Sequence, residues 1–103
     1  MSGPAYIGRE LYLGALKRST PALYEQLITV ADNATIKCIV EILVNVYKGD
    51  VPLDKGELDI FKTHRDVIRR IIAINTHYKE KKLLLKSNPL IVKKAVQVLL
   101  RVI

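Results

Sequence analysis

One cysteine in 103 residues leaves this chain no internal disulfide framework. Cys38 sits inside the apolar run ATIKCIVEILV, where a thiol behaves as a small buried hydrophobe. That setting argues against a reactive nucleophile, which needs exposure and a positive neighbourhood. A lone thiol fits a reducing compartment, so the expectation is an intracellular protein and not a secreted one. The opening residues MSGPAYIGREL carry neither a basic leader nor an apolar stretch of signal-peptide length. Nowhere do about 18 apolar residues run uninterrupted, as a membrane span requires. Gly-rich phosphate loops, serine elbows and Cys or His at zinc spacing are also missing. His64 and His77 lie thirteen residues apart with no cysteine pair beside them. No metal, no cofactor, no small-molecule substrate and no catalytic residue is therefore expected.

Acidic residues become scarce halfway along. Residues 1–59 hold six Lys or Arg against eight Asp or Glu, a balance of −2. Residues 60–103 hold eleven basic residues against Asp66 and Glu80 alone, a balance of +9. A field of that sign attracts polyanions, anionic lipid or an acidic protein. The carboxylates Asp50, Asp54, Glu57 and Asp59 gather around one internal loop, but their spacing and the missing turn glycine fail the calcium-loop pattern. Capping and solubility explain them more simply.

Strand signals are almost absent, and helix punctuation falls between apolar runs of helical spacing. A first helix from about Ile7 to Lys17 would bury Leu11, Leu13 and Leu16, although Gly8 and Gly14 weaken it. Thr20 and Pro21 open a second helix that runs to about Ala31, with Leu23, Leu27 and Val30 on one face. Asp32 or Asn33 caps the third, whose stripe of Ile36, Ile39, Val40, Leu43 and Tyr47, widened by Val44 and Val46, has the spacing of a buried face. Gly49 ends it. After the loop GDVPLDKGE, Asp54 and Glu57 have capping-box spacing and start a fourth helix, with Leu58, Phe61, Ile68, Ile71 and Ile72 available to the core. A short helix over KEKKLLLK and a last one from Pro89 follow. Five to six short helices in one domain, residues 1–103, make an all-α compact bundle.

The basic residues form the one constellation with functional shape. Lys62, Arg65 and Arg69 follow i, i+3, i+7 spacing with Arg70 beside them, and Lys79, Lys81, Lys82 and Lys86 make a second cluster. Together they suit a line of phosphates, since sequence-independent nucleic-acid affinity comes mainly from Lys and Arg displacing counterions. A solvated helix face is the plainer alternative. Only Phe61 and Tyr78 supply aromatic rings in the basic half, too few for single-strand stacking, so duplex backbone contact fits better than sequence readout.

The last helix, PLIVKKAVQVLLRVI, is apolar except for a stripe of Lys93, Lys94, Gln97 and Arg101. Such a helix is packed inside, paired with another chain through Leu99 and Leu100, or laid in a membrane interface. The competing function is thus a protein-interaction module or homo-oligomer. Death-fold adaptor domains have a similar helix count and size, and the acidic and basic halves could join head to tail.

The block KCIVEILVNVYKGDVPLDKGELDIFKTHRDVIRRIIA followed by KEKKLLLK resembles a small basic protein of Maverick or Polinton elements and the related adintoviruses. There a Cys-containing helix leads into an "LNVLKGNVPL"-like stretch, a basic helix with an "IRxLA"-like end, and a Lys-rich run before leucines. The matching positions are Cys38, 42–53, 68–73 and 79–85, about half the chain. The resemblance implies a virus-like or transposon-encoded accessory protein, in the nucleus or virion, working where DNA is packaged. Those proteins continue into a Gly-rich apolar tail suited to membrane activity or capsid association, whereas this chain has Asn88, Pro89 and a helix.

Overall fold

A computed structural model describes residues 9–49 and 51–102. Within them the chain is all-α, with seven short helices and no strand. These are α1 (Glu10–Arg18), α2 (Pro21–Thr29), α3 (Asn33–Lys48), α4 (Lys55–Thr63), α5 (Arg65–Ile72), α6 (Tyr78–Ser87) and α7 (Pro89–Val102). Ile7, Gly8 and Asp50 lie outside the described residues.

The helix starts follow local chemistry. Thr20 Oγ1 accepts from the Leu23 N–H at 3.3 Å, with Pro21 in the first turn, where its missing donor costs nothing. Asp32 Oδ1 accepts from Thr35 N–H at 2.8 Å. Asp54 and Glu57 close a reciprocal capping box, with Glu57 N–H on Asp54 Oδ1 at 2.8 Å and Asp54 N–H on Glu57 Oε1 at 3.0 Å. Gly49 ends α3 with φ 78°, the left-handed conformation that glycine adopts without a Cβ clash. The long fourth helix expected from the sequence is two: the chain breaks at His64, which closes α4 and opens α5.

α3 and α7 carry most of the core. Ile36, Cys38, Ile39, Ile42, Leu43 and Val46 are buried on α3, and Ile91, Val92, Ala95, Val96, Val98 and Leu99 on α7. α1 packs on α7, α5 on α3, and α6 closes against α2 and α5. The deep burial expected for Cys38, Ile39 and Leu43 is observed.

Several faces differ from expectation. On α1 the core takes Leu13 and Leu16, while Leu11, on the far side of the helix from them, is 92 % exposed. On α2 the buried pair is Tyr24 and Ile28; Leu23 and Val30 are exposed and Leu27 is half-buried. The helix is rotated because Tyr24 can be buried at no polar cost, its hydroxyl donating to the Leu85 carbonyl of α6 at 2.5 Å. Tyr47 and Leu58 are each 40 % exposed and do not belong to the core. The Tyr47 hydroxyl meets Arg69 of α5 at the surface instead.

The last helix is turned inward. Leu99 is buried and Leu100 is partly buried against the core, the packed-inside alternative for this helix. The polar stripe of α7 is used inside the molecule. Lys93 Nζ donates to the Ser19 carbonyl at 2.7 Å and lies 5.6 Å from the Tyr24 ring centroid. Arg101 donates from Nη1 to Glu57 Oε2 at 2.9 Å and from Nη2 to Glu57 Oε1 at 2.8 Å and the Pro52 carbonyl at 3.1 Å. This grip ties α7 to the start of α4 and holds the buried Glu57 carboxyl below its ordinary range, chiefly through the Arg101 hydrogen bond. No described helix is long and apolar enough to cross a membrane.

Candidate nucleic-acid interface

The break at His64 does not scatter the first basic cluster. Lys62 on α4 and Arg65 on α5 line one shallow groove against α3, floored by Phe61, Ile68 and Val46 and bounded by Tyr47. Arg69, one helical turn beyond Arg65, donates from Nε to the Tyr47 hydroxyl at 2.7 Å, a bond that raises its pKa and fixes its side chain beside α3. Arg70 is engaged differently. It pairs with Glu80 across the α5–α6 turn, which offsets its charge and joins the two helices.

The second cluster divides around α6. Lys79, Lys82 and Lys86 have the three-and-four spacing of one helix side, and Lys82 there reaches the Ala31 carbonyl at the end of α2, 3.0 Å away. Its ammonium also lies 6.0 Å from the Tyr78 ring centroid. Lys81 faces the other way and lines a cleft with Lys37 of α3. The expected single line of eight cations is therefore two faces, because neighbouring positions on a helix point about 100° apart.

α3 is what joins Lys81 to the first cluster. Its residues Asn33, Lys37, Val40 and Tyr47 recur on one side of the helix, with the Lys81 cleft at one end and the Lys62–Arg65 groove at the other. Ten residues separate Lys37 from Tyr47, about 15 Å of helix rise. Along that length stand Lys37, Lys81, Arg69, Arg65 and Lys62, and among the described residues no carboxylate lines either recess. Lys37 escaped the sequence reading because it lies in the acidic half and on a helix read for its apolar face. Its i+4 relation to Asn33, at the start of α3, was the only local signal.

Sites of other kinds are weaker. Cys38 is buried and its thiol pKa is pushed up by that burial, away from nucleophilic use. His77 caps α6, its Nδ1 accepting from Lys79 N–H at 3.1 Å. Of the loop carboxylates, Asp54 and Glu57 are engaged in the capping box. No group of three or more His, Cys, Asp or Glu side chains converges among the described residues. Set against family models, curated proteins and solved structures, the chain matches none of them.

Proposed function

We propose that this domain is a non-enzymatic nucleic-acid-binding protein that grips phosphates without reading sequence. The observation that carries the reading is the face beside α3, where Lys37, Lys62, Arg65, Arg69 and Lys81 come from four helices and no carboxylate lines either recess. Cations gathered in this way act together on a polyanion, whereas a merely solvated surface interleaves both signs. Lys79, Lys82 and Lys86 form a separate, secondary face. The resemblance to Maverick and Polinton proteins agrees in kind, since it implies an accessory protein working where DNA is packaged.

Fluorescence anisotropy with a short duplex, titrated over salt concentration, tests this. Five phosphate contacts give a slope of log K against log salt near −4 to −5, about −0.9 for each. Replacing Lys62, Arg65 and Arg69 together should flatten it by about three units, with affinity falling alike for unrelated sequences. Absence of binding at low salt, or a slope untouched by the triple change, removes the proposal.

A second reading, self-association or a protein partner, is favoured by one observation: the apolar stripe of Leu23, Leu27 and Val30 along α2 is exposed at both ends. Sedimentation of the chain and of its Val30→Glu variant tests that reading. A concentration-dependent dimer lost in the variant supports it, and a monomer throughout removes it.

A further inference from the structure

The Lys81 cleft has features that plain backbone binding does not use. It is a half-open recess of about 200 Å³, smaller than the roughly 300 Å³ at which pockets for drug-sized ligands begin. Val40 floors it over the buried Ile36, and Tyr78 forms an aromatic wall held by its hydroxyl bond to the Ala31 carbonyl at 3.5 Å. Asn33 and Thr76 supply polar groups at the rim. Lys37 and Lys81 stand over it, and neither ammonium has a hydrogen-bond or ion-pair partner among the described residues.

Both charged residues that line the cleft are lysines. α3 begins at Asn33 and α6 at Tyr78, and both of these first helical residues line the cleft. Two acids beside these helix starts are engaged in local contacts. Asp32 caps Thr35, and Glu80 pairs with Arg70. An anion is favoured, but not every anion. Inorganic phosphate would leave the exposed parts of Val40 and Tyr78 against water.

We propose that the cleft binds one nucleoside phosphate, with the phosphate between Lys37 and Lys81 and the base against Val40 and the Tyr78 ring. A flat ring meets the apolar floor and aromatic wall, and its polar edge meets Asn33 and Thr76. The site deepens the phosphate-gripping reading and rests on it for one source of ligand, an unpaired nucleotide at a strand end. A free mononucleotide has the same chemistry.

The test uses the full chain, isotopically labelled for amide NMR and titrated with adenosine monophosphate, adenosine and inorganic phosphate in turn. Saturable shifts at Lys37, Val40, Thr76 and Tyr78 are expected with the nucleotide, which should bind at least about tenfold tighter than either fragment, as base stacking adds to charge. Val40→Phe fills the cleft without changing charge and should abolish these shifts. Should that variant unfold, Lys81→Glu, at a half-buried helix position, reads the same loss. In parallel, a blunt duplex is compared with one bearing a single unpaired 5′-phosphorylated nucleotide. Tighter binding of the overhang, lost in the same variants, assigns the site to strand ends; nucleotide shifts without an overhang effect assign it to the free nucleotide. Equal binding of phosphate and nucleotide, or shifts unaffected by both variants, overturns the proposal. Salt-dependent duplex binding with no nucleotide shift removes the cleft alone, and saturable nucleotide binding with no duplex binding removes the wider reading alone.

Discussion

Replacing Tyr24 with phenylalanine isolates the contact that sets the rotation of α2. The hydroxyl donates across 61 residues of sequence to the Leu85 carbonyl at 2.5 Å, inside the core, and the residue is 1 % exposed. A net hydrogen bond of this kind contributes about 0.5–1.5 kcal/mol. The larger penalty for an orphaned buried carbonyl does not apply, because Leu85 O also accepts from Asn88 N–H at 3.3 Å. Phenylalanine keeps the ring, and with it the Lys93 ammonium 5.6 Å from the centroid. Tyr24→Phe should therefore cost about 1 kcal/mol, a fall of about 4–8 °C in Tm for a domain of this size. Tyr24→Ala removes the ring as well and should cost about 3–5 kcal/mol. Tyr12→Phe is the internal control, since its 3.1 Å bond to the Leu27 carbonyl is only part-buried and its loss should cost less. Thermal and urea unfolding followed by circular dichroism measure all three. Tyr24→Phe melting with the parent, or as low as Tyr24→Ala, refutes the account of why α2 faces as it does.

Leu43, fully buried at the centre of α3, should cost about 2–5 kcal/mol when cut to alanine, read by the same melts; an unchanged Tm would contradict the packing described. The Glu57 carboxyl has its folded pKa lowered, so its contribution is complete above the ordinary glutamate value of 4.5 and is lost as pH falls through the lower folded value. Urea midpoints measured from pH 6 downward should therefore fall more steeply for the parent than for Glu57→Gln, and parallel profiles would show that the Arg101 grip is not what holds that proton off.

What was legible in the sequence was mostly what is local. Thr20 with Pro21, Asp32, Asp54 with Glu57, and Gly49 each act within one turn of their own helix, so their chemistry can be read from neighbouring letters. Rotation about a helix axis is decided elsewhere. The stripe Leu23, Leu27, Val30 has as good a spacing as Tyr24 and Ile28, and only a carbonyl on α6 makes the tyrosine side the buried one. The same holds for the cations. Lys81 and Lys82 are adjacent letters, yet one faces α3 and the other reaches the turn between α2 and α3. Lys37 joins the basic face although the charge balance of its half gave no reason to select it.

Cys38 is the only thiol in the chain, and it is fully enclosed. A bulky disulfide reagent can reach it only when the core opens, so the rate of its reaction under native conditions is a clock for that opening, and its dependence on denaturant separates local breathing from global unfolding. The same enclosure leaves the surface chemically silent toward maleimides. A cysteine introduced at Lys62 or Lys81 would then be the one site labelled in the folded protein, and a dye placed there would report contact at either end of the basic face without removing any native thiol.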